Sequence, residues 1–451
     1  MALGRRESER QTELWVPTAE LPRTPGHPFY EKLNQLLAEA GFDRFVERLC
    51  EPYYANGGRP SIPPGVYFRM LFVGYFEELD SQRGIAWRCA DSLALKAFLG
   101  YRLNESTPEH SSLTVIRQRL PEEVHEQVFP FVLNIAREKK LLRGSKAGID
   151  ATLLEANAAM KSIVRKDTGE NWKAWLRKLA QESGLENPSD DDLKKFDQGR
   201  KDKKVGNDQW ESKTDLDARI MKMKDGRTHL AYKAEHAVDL ESGMLLAATI
   251  HAGDAADGDT LQDTLIAAQA NLVQAGSDVQ IRDVPADNGY HKNETLAQCA
   301  DWDVRTYIAE KKEKHERVWT DKPEAQRRAF HANRRRVRGR RGRALQRLRS
   351  EYVERSFAHS CETGGARRSW LRGFENVRKR YTVHAAAFNL GVLMRELFGI
   401  GKPRTLQGGL AGLLAALIAA VTIVVNWIIG RRIAAPDRRR VGSERGVLAV
   451  A

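Results

Sequence analysis

The chain has few cysteines and no pattern typical of a zinc or disulfide framework. Four cysteines occur in 451 residues, far apart in sequence and without a CxxC pair. His315, His331 and His359 have no metal-site spacing to these cysteines. The sequence therefore disfavours zinc fingers and a secreted cystine scaffold, and it favours a reducing cytoplasm.

Long apolar runs are also scarce. The N-terminal stretch MALGRRESERQTELW lacks the apolar core of a signal peptide. One run of 21 uncharged residues, from Gly409 to Ile429, has the length of a membrane span. Because it lies at the end of a strongly basic chain, we favour packing of this run on the protein, or on a second copy, over membrane insertion.

The overall composition is that of a globular protein with a strong basic excess. Hydrophobic residues make up 41% of the chain, charged residues 29%, and the formal net charge is +13. Residues 311–349 alone carry 16 Lys and Arg against 4 Asp and Glu, a net charge of +12. Arginine dominates this basic tract, and its guanidinium fork matches phosphate oxygens. The tract favours nucleic-acid contact over simple solvation.

The pattern of apolar residues divides the chain into an all-helical part and a mixed α/β part. We expect a flexible leader at 1–27, a helical domain at 28–142, an α/β domain at 145–400 and an apolar, then basic, tail at 405–451. Three short helices within the second segment are compatible with a helix-turn-helix and equally with a plain helical bundle.

Within the α/β part, short apolar strands alternate with helical patterns. We expect a first strand near 147–154, a polar insertion at about 161–228, a β-hairpin from His229 to Ala252, and two further strands before the basic tract. This order predicts a mixed sheet flanked by helices. Asp215, Asp217, His236 and His251 lie near these strands and are most simply interpreted as surface or turn residues.

Three acidic residues have a context that suggests chemistry. Asp150 interrupts the apolar strand GIDATLL, where a carboxylate is costly unless it is paired or faces a cleft. Asp287 ends a strand immediately before NGYH, and Glu354 lies on the helix that follows the basic tract. Taken singly, each has an ordinary alternative: a local hydrogen bond, plain turn chemistry, or a surface ion pair.

Together these acids can meet at one end of a sheet. Mg²⁺ prefers carboxylate oxygens, and two such ions can activate an attacking oxygen and stabilise a leaving one in phosphodiester displacement. A basic tract next to the third acid would hold the polyanion.

Several segments, in order along residues 28–400, resemble a known family. They are GRPSIPPGVYFRMLFVGYFEELDSQRGIAWRCADSLALKAFLGY, STPEHSSLTVIRQRL, GIDATLLEANAAMKSIV, TDLDARIMKMKDGRTHLAYKAEHAVDLESG, PADNGYH and VERSFAHSCETGGARRSWLRGFENVRKRY. The chain resembles bacterial insertion-sequence transposases of the DDE class, which have an InsH-like N-terminal domain and a ribonuclease-H-like catalytic core. The resemblance therefore implies an α/β fold with a ribonuclease-H-like mixed sheet, preceded by an all-α domain.

The resemblance assigns roles to residues of this sequence. Asp150, Asp287 and Glu354 become the catalytic, metal-binding acids, with Glu351 as the rival third acid. Relatives often carry Arg and Lys where Ser350 and Cys361 stand, so this accessory signature is not met. The DNA-contacting residues are expected to be Arg334, Arg335, Arg336, Arg338, Arg340, Arg341, Arg343, Arg367, Arg368 and Arg372. Trp370 has two interpretations, a base-stacking residue or a core residue.

The implied function is metal-dependent DNA cleavage and strand transfer at the inverted repeats of the element itself. Two Mg²⁺ ions, replaceable by Mn²⁺, are expected as cofactors. The expected partners are double-stranded DNA (terminal repeats and target) and further copies of the chain, in a cytoplasmic, nucleoid-associated setting. The helical domain would bind DNA ends or mediate dimerisation. Two alternatives stay open: a catalytically inactive DNA-binding protein derived from a mobile element, and a nuclease that only hydrolyses.

Overall fold

A computed structural model describes residues 28–58, 61–200, 206–311 and 318–403. The expected leader and the C-terminal segment with the apolar run 409–429 lie outside the described residues. No helix within the described ranges is both long enough and apolar enough to cross a membrane.

Seven helices form the first part of the described chain. They are α1 (Pro28–Glu39), α2 (Phe42–Cys50), α3 (Pro64–Phe76), α4 (Gln82–Asp91), α5 (Leu93–Leu99), α6 (His110–Arg119) and α7 (Glu122–Glu138). The side chains of Ser81 and Ser92 cap α4 and α5 by accepting hydrogen bonds from the N–H of Gly84 and Leu95. Helix α3 is the centre of this part, because every residue from Gly65 to Phe76 is buried.

Eight strands follow in the described part of the chain. They are β1 (Ala147–Glu155), β2 (Ile163–Arg165), β3 (Trp210–Ser212), β4 (Arg219–Lys222), β5 (Thr228–Asp239), β6 (Leu245–Ala252), β7 (Asp283–Ala286) and β8 (Arg305–Ile308). The main sheet has the order β4-β5-β1-β7-β8, and β6 also pairs with β5. Strand β5 runs antiparallel to β1 and β6, whereas β1, β7 and β8 are parallel. This order and these directions give a ribonuclease-H-like sheet, as expected.

Seven helices accompany these strands. They are α8 (Trp172–Glu182), α9 (Asp190–Gly199), α10 (Asp257–Gln274), α11 (Asn293–Asp301), α12 (Glu324–Arg338), α13 (Arg340–Ala358) and α14 (Phe374–Phe398). Neighbouring residues of a strand point to opposite faces, and on β5 Glu235 contacts Thr264 of α10 whereas His236 contacts Ser356 of α13. Helices α10 and α13 therefore cover opposite faces of the sheet.

The insertion and the basic tract are more ordered than their composition suggests. The insertion was expected as a polar segment, and it contains two helices, α8 and α9, and a strand pair, β2–β3. Indole rings of Trp172, Trp175 and Trp210 pack together there, with ring centroids 5.0 to 5.4 Å apart. The described part of the basic tract is largely helical and divides into α12 and α13 at Gly339.

Two buried asparagines complete the hydrogen bonding of strands at the sides of the sheet. The Asn389 amide of α14 accepts from the Leu245 N–H of β6 (2.8 Å) and donates to its carbonyl (2.9 Å). On β8, Asn333 of α12 makes the same pair with the Ile308 N–H (3.0 Å) and carbonyl (2.8 Å). Each amide thus substitutes for a missing neighbouring strand and attaches a helix to the sheet.

We predict that Asn389→Leu lowers the free energy of unfolding by about 2–5 kcal/mol, because it leaves a buried backbone donor and acceptor unpaired. Urea unfolding at 25 °C measures the change. Asn134→Leu is the matched control, since the Asn134 side chain bonds only exposed groups of its own helix α7. A loss no larger than that of the control would contradict this role of Asn389.

Candidate catalytic site

Two of the three expected acids lie side by side on paired strands: Asp150 lies within β1, and Asp287 directly follows the end of β7. Strands β1 and β7 are parallel, with Ile149 opposite Ala286, so the residues that follow are Asp150 and Asp287. Adjacent strands are about 4.8 Å apart, which brings the two carboxylates to one edge of the sheet. Asp287 is exposed and begins a single helical turn, Asn288–Tyr290. The pair lies where ligands bind in α/β sheets.

Besides burial, the charge of Asp287 contributes to a raised pKa of Asp150. Burial raises the pKa of the Asp150 carboxyl, and the negative charge of Asp287 acts in the same direction. The Ala151 N–H (2.8 Å) and the Arg349 guanidinium (2.7 Å) oppose this rise without cancelling it. A buried carboxyl whose ionisation is disfavoured by the charge of a neighbouring carboxylate is part of a site that a divalent cation would stabilise.

Arg349 reaches Asp150 because α13 crosses β1 at a glycine. A Cβ atom on Gly148 would lie 2.7 Å from Leu240, 3.2 Å from Val353 and 3.4 Å from Arg349. A side chain at this position would therefore crowd the residues packed between helix and strand, and glycine leaves room for their close approach. The side chains of Arg349 and Asp150 are 11% and 29% exposed, so their ion pair is largely shielded from water.

Neither candidate for the third acid joins the aspartate pair. Val353 is fully buried against the sheet, and Glu354 follows it about 100° further around α13. Glu354 is exposed, whereas Glu351 forms an exposed ion pair of 2.8 Å with Arg355. Within the described ranges, no three His, Cys, Asp or Glu side chains are close enough together to hold a metal ion.

A buried polar network supports the turn that begins at Asp287. The Tyr290 hydroxyl donates a hydrogen bond of 2.5 Å to Glu235, a fully buried carboxylate on β5. Thr260 and Thr264 of α10 also donate to Glu235, at 3.1 and 2.6 Å. Burial raises the pKa of Glu235, and these donors oppose that rise. The sequence carries one local signal for this network, the charged residues Lys233 and Glu235 within an apolar strand.

Two residues interpreted as surface residues are buried. His236 is fully buried, with Nδ1 2.8 Å from the Ser356 hydroxyl and Nε2 2.7 Å from the Tyr381 hydroxyl. Asp215 is 3% exposed and accepts a hydrogen bond of 2.6 Å from Tyr232. The interpretation as surface or turn residues was wrong for His236, because contacts with α13 and α14 are invisible in a local pattern. Asp215 does lie in a turn, since its carbonyl accepts from the Ala218 N–H, but its side chain is buried.

The seven arginines of residues 334–343 that were expected to contact DNA fall into two groups. Arg334 pairs with Glu310 (2.6 Å), Arg341 pairs with Asp283 (2.5 Å), and Arg336 is half-buried and donates to the Thr306 carbonyl (2.9 Å). These three stabilise the fold around β7 and β8. The other four are exposed and make no ion pair with a described residue: Arg335, Arg338, Arg340 and Arg343.

Three further arginines lie beyond the carboxyl end of β1. The segment that carries them is held to β1 by backbone bonds of Glu155, through its N–H to the Arg367 carbonyl and its carbonyl to the Ser369 N–H. Arg367 and Arg368 are exposed and lie 3.4 and 3.7 Å from acidic partners. Arg372 is also exposed and donates to the Asn157 carbonyl. These side chains extend the basic surface along the end of β1.

Comparison with protein families agrees with this architecture. Residues 19–119 match the family described as a transposase domain (DUF772), and residues 196–390 match the transposase DDE domain. No curated protein and no solved structure shows significant similarity to the chain. The two matches support an insertion-sequence transposase of the DDE class. The DDE domain is of the nuclease and polynucleotidyl transferase type, from a family whose members act on DNA.

We predict that Arg349→Met lowers the free energy of unfolding at pH 7, without divalent metal, by about 1–3 kcal/mol. In this variant the Asp150 carboxylate keeps its charge but loses its ion pair with the Arg349 guanidinium. An acid whose pKa is raised in the folded state stabilises the fold below its ordinary pKa, and this contribution is lost as the pH rises through the folded-state value. The variant raises the pKa of Asp150 further, so its deficit should shrink as the pH falls and Asp150 is protonated.

Urea unfolding in EDTA at pH 7 and pH 4 measures this change. Arg347→Met, an exposed arginine on the same helix, is the control and should change stability little at either pH. A deficit of Arg349→Met that stays constant with pH would show that the ion pair with Asp150 is not its origin.

Proposed function

We propose that the protein cleaves DNA at the inverted repeats of its own insertion sequence and joins the freed 3′-hydroxyl to target DNA. One observation carries the proposal: β1 and β7 place Asp150 and Asp287 side by side in the DDE domain. Each displacement forms one phosphorus–oxygen bond and breaks another, first with water and then with the 3′-hydroxyl as the attacking group.

The two aspartates fit a divalent cation. Asp287 is exposed, and Asp150 has a pKa raised by burial and by the charge of its neighbour, so a cation between them would relieve the repulsion. Their carboxylate oxygens suit Mg²⁺, or Mn²⁺ in its place. When bound, a pair of such ions supplies activation of the attacking oxygen and stabilisation of the leaving one. Arg349 holds the charge of Asp150 when no cation is bound.

We assign the third acid to Glu354 rather than Glu351. Glu354 has no ion-pair partner among the described residues, so its carboxylate is available, whereas Glu351 is engaged by Arg355. Helix α13 joins Glu354 to the pair through Val353, which packs on Gly148 of β1 two residues before Asp150. Convergence of Glu354 on the pair then requires a rotation or shift of α13, which bound DNA and metal would favour.

DNA is proposed to bind along the exposed arginines. Arg335, Arg338, Arg340 and Arg343 offer four exposed guanidinium groups without an ion-pair partner among the described residues, at the junction of α12 and α13. Arg367, Arg368 and Arg372 add three exposed guanidinium groups near the end of β1, of which the first two lie beside acidic partners. Each phosphate contact adds affinity that salt weakens. Further copies of the chain are expected on the DNA, because two ends must be joined in one event.

A second candidate is a DNA-binding protein without catalytic activity. It is favoured by the position of Glu354, which stands apart from the aspartate pair. Such a protein would bind DNA through the exposed arginines but would neither cleave DNA nor transfer strands.

One experiment separates binding from catalysis. Labelled DNA carrying the inverted repeats that flank the gene is incubated with the full chain and Mg²⁺ or Mn²⁺, and cleavage, strand transfer and DNA affinity are measured. We expect Asp150→Asn, Asp287→Asn and Glu354→Gln to bind DNA normally and to lose at least about 100-fold in cleavage. Glu351→Gln should remain active.

The matched variant carries alanine at positions 335, 338, 340 and 343. It should bind DNA more weakly and show a weaker salt dependence, with the slope reduced by about 0.9 for each phosphate group that it no longer neutralises. Alanine at four exposed cations of the insertion is its control: Lys173, Arg177, Lys178 and Lys194. Cleavage retained by all three acid variants would refute the catalytic assignment, and binding without any cleavage by the intact protein would establish the second candidate.

A further inference from the structure

A small cavity lies where the helical region meets the DDE domain. Its lining comes from α3, α4, α6 and α7 on one side and from α14 and the segment before it on the other. Its volume is about 10 Å³, room for the centre of a single water-sized sphere. Among the lining side chains are Arg117, Trp370, Arg380 and His384.

Each of these four side chains has a buried polar atom without a partner. The atoms are Arg117 Nη1, Trp370 Nε1, Arg380 Nε and His384 Nδ1, and none has a hydrogen-bond partner among the described residues. The arginine and tryptophan nitrogens are donors only. Buried donors are almost always satisfied, so three of them around one cavity indicate an acceptor inside it.

The charges around the cavity are also unbalanced. Arg380 is 9% exposed and donates only to the carbonyls of Gly364 and Gly365, while Arg117 donates to the Asn376 side-chain oxygen. No Asp or Glu lines the cavity among the described residues. Two carboxylates act from outside the lining: Glu375 pairs with Lys379, and Asp80 influences Arg380 through its charge. Two guanidinium groups thus lack a direct anionic partner.

Trp370 links the two cations. Its indole ring has Arg117 at 5.8 Å and Arg380 at 5.1 Å from the ring centroid. Trp370 is partly buried and packs against a hydrophobic core cluster, which favours the core interpretation of this residue over base stacking. The indole N–H remains as a neutral donor between two positive groups.

We propose that this cavity binds one monatomic anion, of the size and charge of chloride. An anion accepts from all three donors at once and offsets the charges of the buried Arg380 and the partly buried Arg117, which a single neutral water does only in part. The cavity is too small for phosphate or sulfate, so DNA and nucleotides are excluded as occupants. The bound ion joins Arg117 of α6 to Trp370 and Arg380, and so fixes the helical region against the DDE domain.

Anomalous diffraction with bromide tests the site directly on the intact protein. Crystals soaked in sodium bromide should show a peak within hydrogen-bonding distance of Trp370 Nε1, Arg117 Nη1 and Arg380 Nε. Bromide distinguishes an anion from water, which gives no anomalous signal. Absence of this peak at saturating bromide would overturn the proposal and leave water as the occupant.

Thermal unfolding provides the second readout. Replacing gluconate by chloride or bromide at equal ionic strength should raise the melting temperature in a saturable way, by at least about 2 °C. Trp370→Phe removes the neutral donor and should abolish this increase, whereas Trp302→Phe, at an exposed position, should retain it. An equal halide response in the wild type and in Trp370→Phe would also contradict the assignment.

Discussion

The parallel pairing of β1 with β7 determines where the two aspartates lie. Ile149 and Ala286 are opposite each other, and each is followed by an aspartate at the same edge of the sheet. A shift of one residue in either strand would move one carboxylate to the other face, because side chains alternate along a strand. The site thus depends on a register that buried apolar residues on both strands maintain.

Helices α13 and α14 connect this strand pair to the rest of the fold. Helix α13 approaches β1 closely at Gly148, which brings Arg349 to Asp150 and places Glu354 on the same element. On the opposite face, Glu235 holds Tyr290 and hence the turn after Asp287. Helix α14 packs on the sheet and on α3 and α7, so it connects the catalytic region to the helical region that precedes it.

The sequence allowed the main elements of this arrangement to be predicted. Asp150 was recognisable because a carboxylate inside an apolar strand is costly unless it is paired or faces a cleft. Asp287 was recognisable because it ends a strand before a turn. The β-hairpin depends on local signals, and it occurs as the sequence indicates.

Features that depend on distant contacts were not predictable in this way. Arg349 pairs with a residue 199 positions away, and His236 bonds Ser356 and Tyr381 across more than 100 positions. The composition of the basic tract predicted contact with nucleic acid, yet Arg334, Arg336 and Arg341 stabilise the fold around β7 and β8. Composition records charge but not which charges are already paired.

The proposed function depends most on a cation site formed by Asp150 and Asp287. Anomalous diffraction from crystals soaked in Mn²⁺ tests it most directly. The account predicts a manganese peak between these two carboxylates, with Arg349 displaced from Asp150. Manganese that supports DNA cleavage but binds elsewhere, with the Arg349–Asp150 ion pair intact, would contradict the account.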